Sequence, residues 1–287
     1  MRKKLAAAAA FLLAAVMLIG GCGKKVTVRS LLEDVQKKTE SLGAMKSSVQ
    51  FSTELERYAP FYYGQATLTA DVDIEQTANP AASRIQGGMH QSGTVPEESL
   101  DIDSYTVVEG GRTVCYMKRM DQWVKQELGY DKEKMSLLDT SAGDLLTCVD
   151  DLKIDRMDKD ANTGRPIYII TGTVEGTAVR DLMQSYHAVR DILEDSPGES
   201  FDDSYYSDLK IDIEYAVDKW KKLPLYLDMK FSGLDSIYPD DIKLDDTSLH
   251  TDYKSFNKID QINVPDDVIK NAQDLGPIDG SKAAETE

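Results

Sequence analysis

A strict two-residue alternation over residues 66–75 constrains the fold of this chain more than any other feature. The polar positions of this segment are threonines and acids, and the apolar ones are Ala66, Leu68, Ala70, Val72 and Ile74. Successive side chains of a β-strand point to opposite faces, so the pattern is typical of a strand with one buried and one solvated face. Sheets with one wet face are usually antiparallel. The alternation therefore predicts an antiparallel sheet whose apolar face must be covered by the rest of the chain.

Similar segments surround this strand. A weaker alternation begins at Met45, and further strand-like runs lie at 83–92, 99–108, 112–119 and 122–128. Turn-forming residues separate them, including Asn-Pro at 79–80 and Gly-Gly at 110–111. We predict that these six strands form an antiparallel meander.

The second half of the chain predicts five more strands. One hairpin joins strands at 152–157 and 166–174, and a second pair of alternating segments covers 209–217 and 223–231. A last strand is expected near 247–256. The predicted total is therefore about eleven strands.

Three helices are predicted by apolar spacing. The first runs from an N-cap at Thr27 to Gly43, a short one is capped by Asp139 and ends near Val149, and a long one covers 177–194. An acidic loop follows at 195–206. Because no repeat and no Ser- or Pro-rich linker divides the chain, we expect one domain over 27–275, followed by a disordered acidic tail at 276–287.

The N-terminus has the composition of an export signal. Three basic residues precede an apolar run over 5–19, which as a helix would span about 22 Å, less than the roughly 30 Å of a bilayer core. The run ends in Leu-Ile-Gly-Gly-Cys at 18–22, which resembles the bacterial lipobox. That resemblance implies removal of the signal peptide 1–21, a diacylglyceryl group on Cys22, a lipidated tether over 22–26, and an exported protein anchored to the outer face of the cell membrane. The alternative is an ordinary signal peptide with an incidental cysteine.

Charge limits the possible partners. The chain carries 33 basic and 50 acidic residues, for a net charge of −17, although its 41% hydrophobic content is ordinary for a globular protein. Because so negative a surface repels phosphate backbones and anionic headgroups, nucleic acid is not expected as a partner and electrostatic membrane binding is disfavoured.

Motifs for catalysis or metal binding are missing from the sequence. His90, His187 and His250 are far apart, and the chain contains no hydrolase, metalloprotease or phosphate-loop motif. The segment 158–164 places oxygen-bearing side chains as a calcium loop does, but its glycine is one residue late and Ile169 stands where the last acid belongs. We interpret it as a plain turn, and expect no cofactor, no metal and no enzymatic activity.

Two cysteines leave an alternative open. Cys115 lies in a strand-like run and Cys148 in a helical one. In an exported protein they could form a disulfide. Cysteines without motif spacing are more often small buried hydrophobic residues, which is the interpretation we favour.

The predicted order of elements resembles the LolA and LppX/LprG lipoprotein-carrier superfamily. Two local segments add to this, one from Tyr215 to Pro224 and one from Phe256 to Pro265, the latter resembling uncharacterised Gram-positive lipoproteins. The resemblance implies an α+β fold in which a strongly curved antiparallel half-barrel is covered by a few helices, with acyl chains held between them. It supplies no catalytic or ligand residue by motif, so its functional content is an analogy of fold.

Two functions follow as expectations. The first is a surface lipoprotein that binds or carries a lipid or other hydrophobic ligand between sheet and helices. Its expected lining residues are Leu182, Tyr186, Val189, Ile211, Ile213, Leu225 and Leu227. The second is a non-enzymatic interaction or sensor module with a packed interior, acting through its acidic surface and loops such as 195–206.

Overall fold

One sheet contains all the strands of the described structure. The computed structural model describes residues 26–59, 62–94, 96–131, 141–185, 207–234 and 242–277. The strands within these ranges are β1 (Ala44–Ala59), β2 (Tyr62–Ala78), β3 (Ala81–Gly93), β4 (Glu98–Glu109), β5 (Arg112–Arg119), β6 (Gln122–Asp131), β7 (Leu152–Lys159), β8 (Pro166–Glu175), β9 (Lys210–Asp218), β10 (Pro224–Ser232), β11 (Ile242–Phe256) and β12 (Gln273–Pro277).

The strand order is β12-β6-β5-β4-β3-β2-β1-β11-β10-β9-β8-β7, so the sheet is open, with β7 and β12 at its edges. The predicted six-strand meander, β1 to β6, is confirmed. The molecule is an α+β half-barrel, as predicted. The described sheet has twelve strands where about eleven were predicted, and the added strand β12 pairs parallel to β6.

Four α-helices accompany the sheet in the described ranges: α1 (Val28–Glu40), α2 (Ser141–Leu146), α3 (Thr177–Ser185) and α4 (Asp266–Asn271). The N-cap of α1 is Thr27 as predicted, because its hydroxyl accepts the backbone N–H of Ser30 at 3.2 Å, but the helix ends three residues before Gly43. The predicted cap Asp139, the second half of the predicted long helix (186–194) and the acidic loop lie outside the described residues. Among the described helices, none has the length and apolar character needed to cross a membrane.

The main core lies between α1, α2 and α3 and one face of the sheet, which we call the helix face. Leu31, Leu32 and Val35 of α1 are buried there, together with Leu145 of α2. The strands contribute mainly from β8 to β11, with Ile170, Val174, Ile211, Ile213, Tyr215, Leu227, Met229 and Tyr253. The core is therefore centred on the β7–β11 half of the sheet.

A second core lies on the opposite face, the outer face, at the other side of the sheet. Tyr105, Val114 and Tyr116 of β4 and β5 are buried there against Ile262 and Val268 of the C-terminal segment. Since the helix-face residues Thr113 and Cys115 are buried as well, β5 is covered on both faces. No sequence pattern predicted α4 or β12, and β12 extends two residues into the segment expected to be a disordered tail.

Cys115 and Cys148 are both free and buried, which agrees with the interpretation favoured from the sequence. Burial raises the pKa of the Cys115 thiol, and it raises that of Cys148 to about 11. Both thiols are therefore protonated and unreactive at neutral pH.

Candidate ligand-binding surfaces

Four of the predicted lining residues come together in the main core. Leu182 of α3 and Ile211 of β9 have no exposed surface, and Leu227 of β10 is 1% exposed. Ile213 belongs to the same cluster and is 3% exposed. In the described structure these side chains are covered by other side chains of the core.

Leu225 is separated from that group by a β-bulge. The pairing of β10 with β9 shifts register between Pro224 and Tyr226, so Leu225 lies opposite no residue of β9. It packs with Ile167, Ile169 and Ala216 on the outer face. The expectation that it shares one face with Leu227 is wrong, because an extra residue reverses the alternation. Tyr186, Val189 and Cys22 lie outside the described residues.

The helix face of β1–β4 carries an apolar strip, which continues the main core across the sheet. Directly paired residues share a face, and the row Met229, Leu249, Phe51, Ala70, Met89 and Leu100 connects the core to the strip. We define the strip as Val49, Phe51, Leu68, Val72, Ile74, Ile85, Met89, Leu100 and Ile102. All are half-buried except Leu100, which is 49% exposed.

Small residues form the middle of the apolar strip. Ala70 stands between Phe51 and Met89, and Gly87 stands between Val72 and Ile102. Strands β2 and β3 approach so closely at Gly87 that a Cβ there would lie 2.0 Å from the carbonyl oxygen of Asp71. The strip is thus lower at its centre than at its sides, a shape that accommodates an extended apolar chain.

The outer face of the same strands is polar. A hollow of about 620 Å³ is lined mostly by residues of this face, including Gln50, Ser52, Thr69, Asp71, His90 and Asp101, and also by Phe51, Ala70, Met89 and Leu100. His90 is held by Ser99, whose Oγ lies 3.0 Å from the imidazole Nδ1. The two faces of β1–β4 therefore differ in character as the sequence alternation predicts, and the apolar one is the candidate surface for a hydrophobic ligand.

A larger groove, of about 1160 Å³, lies at the end of the sheet where the β7–β8 and β9–β10 turns meet. Its apolar lining includes Ile167, Ile169 and Leu225. Its basic lining residues are Lys38, Lys159, Arg165, Lys221, Lys254 and Lys258, and its acidic ones are Asp158, Asp160, Asp218 and Asp252. Basic residues outnumber acidic ones here, although the chain as a whole carries a net charge of −17.

A polar network borders this groove. Tyr226 donates to Glu214 at 2.7 Å, and burial together with that carboxylate raises the pKa of the Tyr226 phenol. The imidazole of His250 lies 2.5 Å from Asp228 and 3.5 Å from Asp252. Burial by itself would lower the pKa of His250, but the two carboxylates outweigh it and the net effect is a raised pKa.

The segment 158–164, whose oxygen-bearing side chains are spaced as in a calcium loop, forms the hairpin turn between β7 and β8. The carboxylate of Asp160 accepts hydrogen bonds from the backbone N–H and hydroxyl of Thr163, at 2.6 and 2.5 Å. Its backbone carbonyl accepts the N–H of Gly164 at 2.8 Å. In the part of the chain that the structure describes, no group of three or more His, Cys, Asp or Glu side chains is arranged to hold a metal ion.

Among the solved structures that are similar to this chain are three that each share 10% sequence identity with it. The first is a DUF1329 family protein from Desulfovibrio piger, and the match covers 82% of this chain and 95% of that chain with a TM-score of 0.26. The second is a β-barrel-like DUF1849 protein from Brucella abortus, and the match covers 75% of this chain and 98% of that chain with a TM-score of 0.19. The third is a domain from Vibrio parahaemolyticus described as a putative outer membrane lipoprotein-sorting protein. The match covers 84% of this chain and 96% of that chain with a TM-score of 0.20. At these TM-scores the similarities carry no argument about function.

No curated protein matches the chain. A family model does match, and it covers residues 27–273, from the N-cap of α1 to the first residue of β12. The matched region contains both cores and the whole apolar strip. The chain therefore belongs to DUF6612, a family of unknown function.

Proposed function

We propose that this protein binds a lipid or another hydrophobic ligand on the apolar strip of its helix face, in a binding and not a catalytic role. One observation carries the proposal: nine apolar side chains on four adjacent strands form a continuous surface that the described helices leave partly open. Contiguous exposed apolar surface is unusual in soluble proteins and marks binding sites. Each additional 100 Å² that a ligand covers would contribute about 2.5 kcal/mol before the costs of association.

The position of the strip supports this role. It borders the main core through Leu249, so a bound chain would extend an existing apolar layer without creating a separate pocket. An acyl chain lying over Ala70 and Gly87 would contact larger apolar side chains on both of its sides.

Probe binding to purified protein tests the proposal. The chain beginning at Gly23 is titrated with a fluorescent fatty acid and examined by native mass spectrometry for lipid that co-purifies. Met89→Gln places an amide in the strip and should weaken probe binding about tenfold or more, since an unpaired polar group would be buried under the ligand. His90→Gln, on the outer face of the same strand, is the matched control and should leave the affinity unchanged. Equal binding by both variants, or no lipid uptake at all, contradicts the proposal.

Membrane anchorage through Cys22 belongs to the same proposal. Two acyl chains give stable membrane residence, whereas a single chain is marginal. Cys22→Ala should therefore release the domain from the membrane or leave the precursor uncleaved, with little change in the fold. Normal processing and unchanged membrane association of this variant would disprove lipidation at Cys22.

A second candidate function is the interaction or sensor module with a packed interior. The full burial of Leu182, Ile211 and Leu227 favours it, because these were expected to line a ligand space and instead contact other core side chains. Under this alternative the Met89→Gln variant changes stability but no lipid is taken up. The same titration therefore separates the two functions.

A further inference from the structure

The turn between β9 and β10 presents a tryptophan to solvent on a rigid support. We call residues Asp218–Lys222 the lysine turn. The carboxylate of Asp218 accepts the backbone N–H groups of Trp220 at 2.8 Å and Lys221 at 2.7 Å. The main chain of Asp218 also pairs with Leu223 and Lys222, at 2.9 and 3.0 Å. Asp218 is itself buried, so the turn is held in one conformation by hydrogen bonds to a side chain within the protein.

Trp220 is 70% exposed, although a tryptophan side chain is the costliest to leave in water. Met157 of β7, which β8 separates from β9, is 62% exposed and reaches the same turn, with its sulfur 3.8 Å from the Lys219 ammonium. These two side chains form a small apolar projection at one end of the sheet. The described residues supply nothing that covers it.

Lysine ammonium groups lie beside the projection. The Lys219 ammonium lies 5.1 Å from the Trp220 ring centre, and those of Lys219 and Lys222 lie 5.9 and 5.1 Å from that of Tyr168. Lys221 points to solvent. The turn carries three lysines against one acid, Asp218, whose buried carboxylate also lies 4.0 Å from the Arg165 guanidinium.

We propose that the lysine turn docks on an anionic lipid bilayer, with Trp220 inserted at the level of the headgroups. Tryptophan is enriched at membrane interfaces because one part of its ring system is apolar and its N–H needs a polar partner. Lysines beside it are attracted to the negative surface potential of anionic lipids. Because the turn is already rigid, docking loses little conformational entropy. The net charge of −17 disfavours membrane binding if the charge is spread evenly over the surface. At the end of the sheet that carries the lysine turn, however, basic residues outnumber acidic ones in the groove lining.

This contact is distinct from an anchor at Cys22. The lysine turn lies at the end of the sheet where α1 finishes, since Lys38 and Leu42 line the same groove as Trp220. The tether precedes the start of α1, and a 13-residue helix is about 20 Å long. A molecule held by both contacts would lie with α1 along the bilayer plane, so the turn would set its orientation.

Vesicle binding tests the proposal on the chain beginning at Gly23, which lacks Cys22. Both cores are built from residues 28–272, so this chain retains them. The background variant is Trp123→Phe, which leaves Trp220 as the single tryptophan. With vesicles of equal parts phosphatidylglycerol and phosphatidylcholine we expect a blue shift of its emission and quenching by brominated acyl chains. Phosphatidylcholine vesicles should give neither, and high salt should reverse the binding.

Single substitutions separate the contributions of Trp220 and of the lysines to vesicle binding. Starting from the chain with both tryptophans and measuring co-sedimentation with vesicles, we expect Trp220→Ala to weaken binding about tenfold. Lys219→Gln and Lys221→Gln should each weaken it about fivefold. Met120→Ala is the matched control, because Met120 is 88% exposed on the β5–β6 turn at the opposite end of the sheet.

The outcomes are decisive because Trp220 is exposed and its removal should leave thermal unfolding unchanged. Equal binding of wild type and Trp220→Ala, or equal weakening by Met120→Ala, overturns the proposal. Binding that depends on the lysines but not on Trp220, or that soluble glycerol phosphate abolishes, also overturns it and indicates simple anion binding. The fatty-acid titration on the apolar strip is unaffected by these variants, so the two proposals can fail separately.

Discussion

Truncation of Leu182 measures whether α3 packs on the sheet or borders an open space. Leu182 has no exposed surface and belongs to the main core with Val179 of the same helix and Ile211 of β9. Leu→Ala at fully buried sites costs about 2.7–5.0 kcal/mol, because the transfer free energy of the lost methylenes adds to the cost of the cavity. Here one wall is a hydrogen-bonded sheet that cannot relax far into the cavity. We therefore expect Leu182→Ala to lower the free energy of unfolding by about 3–4 kcal/mol.

Urea unfolding followed by circular dichroism gives this value, with a lower midpoint and an unchanged slope m. Thermal unfolding should shift down by roughly 6–16 °C for a domain of this size. Asp181→Ala on the exposed side of the same helix is the control, and it should change stability by less than about 0.5 kcal/mol. Fatty-acid affinity should be the same in both variants, since the apolar strip does not include Leu182.

A loss of less than about 1 kcal/mol for Leu182→Ala would refute the packing argument, because methylenes that face open space leave no new cavity. If fatty-acid affinity also changed more than stability, Leu182 would line the ligand site after all.

Three further predictions follow from particular contacts. Gly87→Ala should destabilise the protein by about 1–3 kcal/mol in urea unfolding, because its Cβ would meet the backbone of β2, whereas Gly88→Ala, whose nearest contact is 3.6 Å, should cost nothing. Because folding raises the pKa of His250, the protonated imidazole stabilises the folded state. This stabilisation is complete when the pH is below the unfolded pKa near 6.5, and it is lost once the pH exceeds the raised pKa of the folded state. The difference in unfolding free energy between wild type and His250→Gln should therefore shrink as pH rises from about 5.5 to 8.5, by less than about 1 kcal/mol because the site is partly exposed; an unchanged difference would contradict the pairing. Cys115 and Cys148 should resist a thiol reagent at neutral pH in the native state, and both should react in denaturant without reductant; a disulfide would prevent the second result.

Local pattern predicted most of the sheet, because a half-buried strand imposes its two-residue period on its own sequence. The alternation at 66–75 correctly places Leu68, Val72 and Ile74 on the apolar face of β2. Thr27 was identifiable as the cap of α1 because capping involves only side chains and backbone a few residues apart. Turn residues separated the strands of the meander for the same reason.

The sequence did not predict the second core. Val114, Tyr116 and the residues around Val268 are about 150 positions apart, and burial of β5 on both faces depends on where the C-terminal segment packs. The short β12 has no alternation of its own and exists because β6 offers a free edge. Leu225 was misplaced by a single bulged residue, which no periodic pattern records.

The sequence by itself determined that the chain forms an antiparallel sheet with an apolar and a polar face, because side-chain alternation is a local property of the extended backbone. Only the tertiary structure decided which part of the apolar face is covered. The helices that the structure describes pack over β7–β11 and bury Leu182 and Ile211, while the strip around Met89 is only half-buried. It likewise decided that Trp220 projects into solvent, because the buried Asp218 holds that turn away from the body of the protein. Exposure is set by which distant segments pack together, so the candidate surfaces of this protein became visible only in the folded chain.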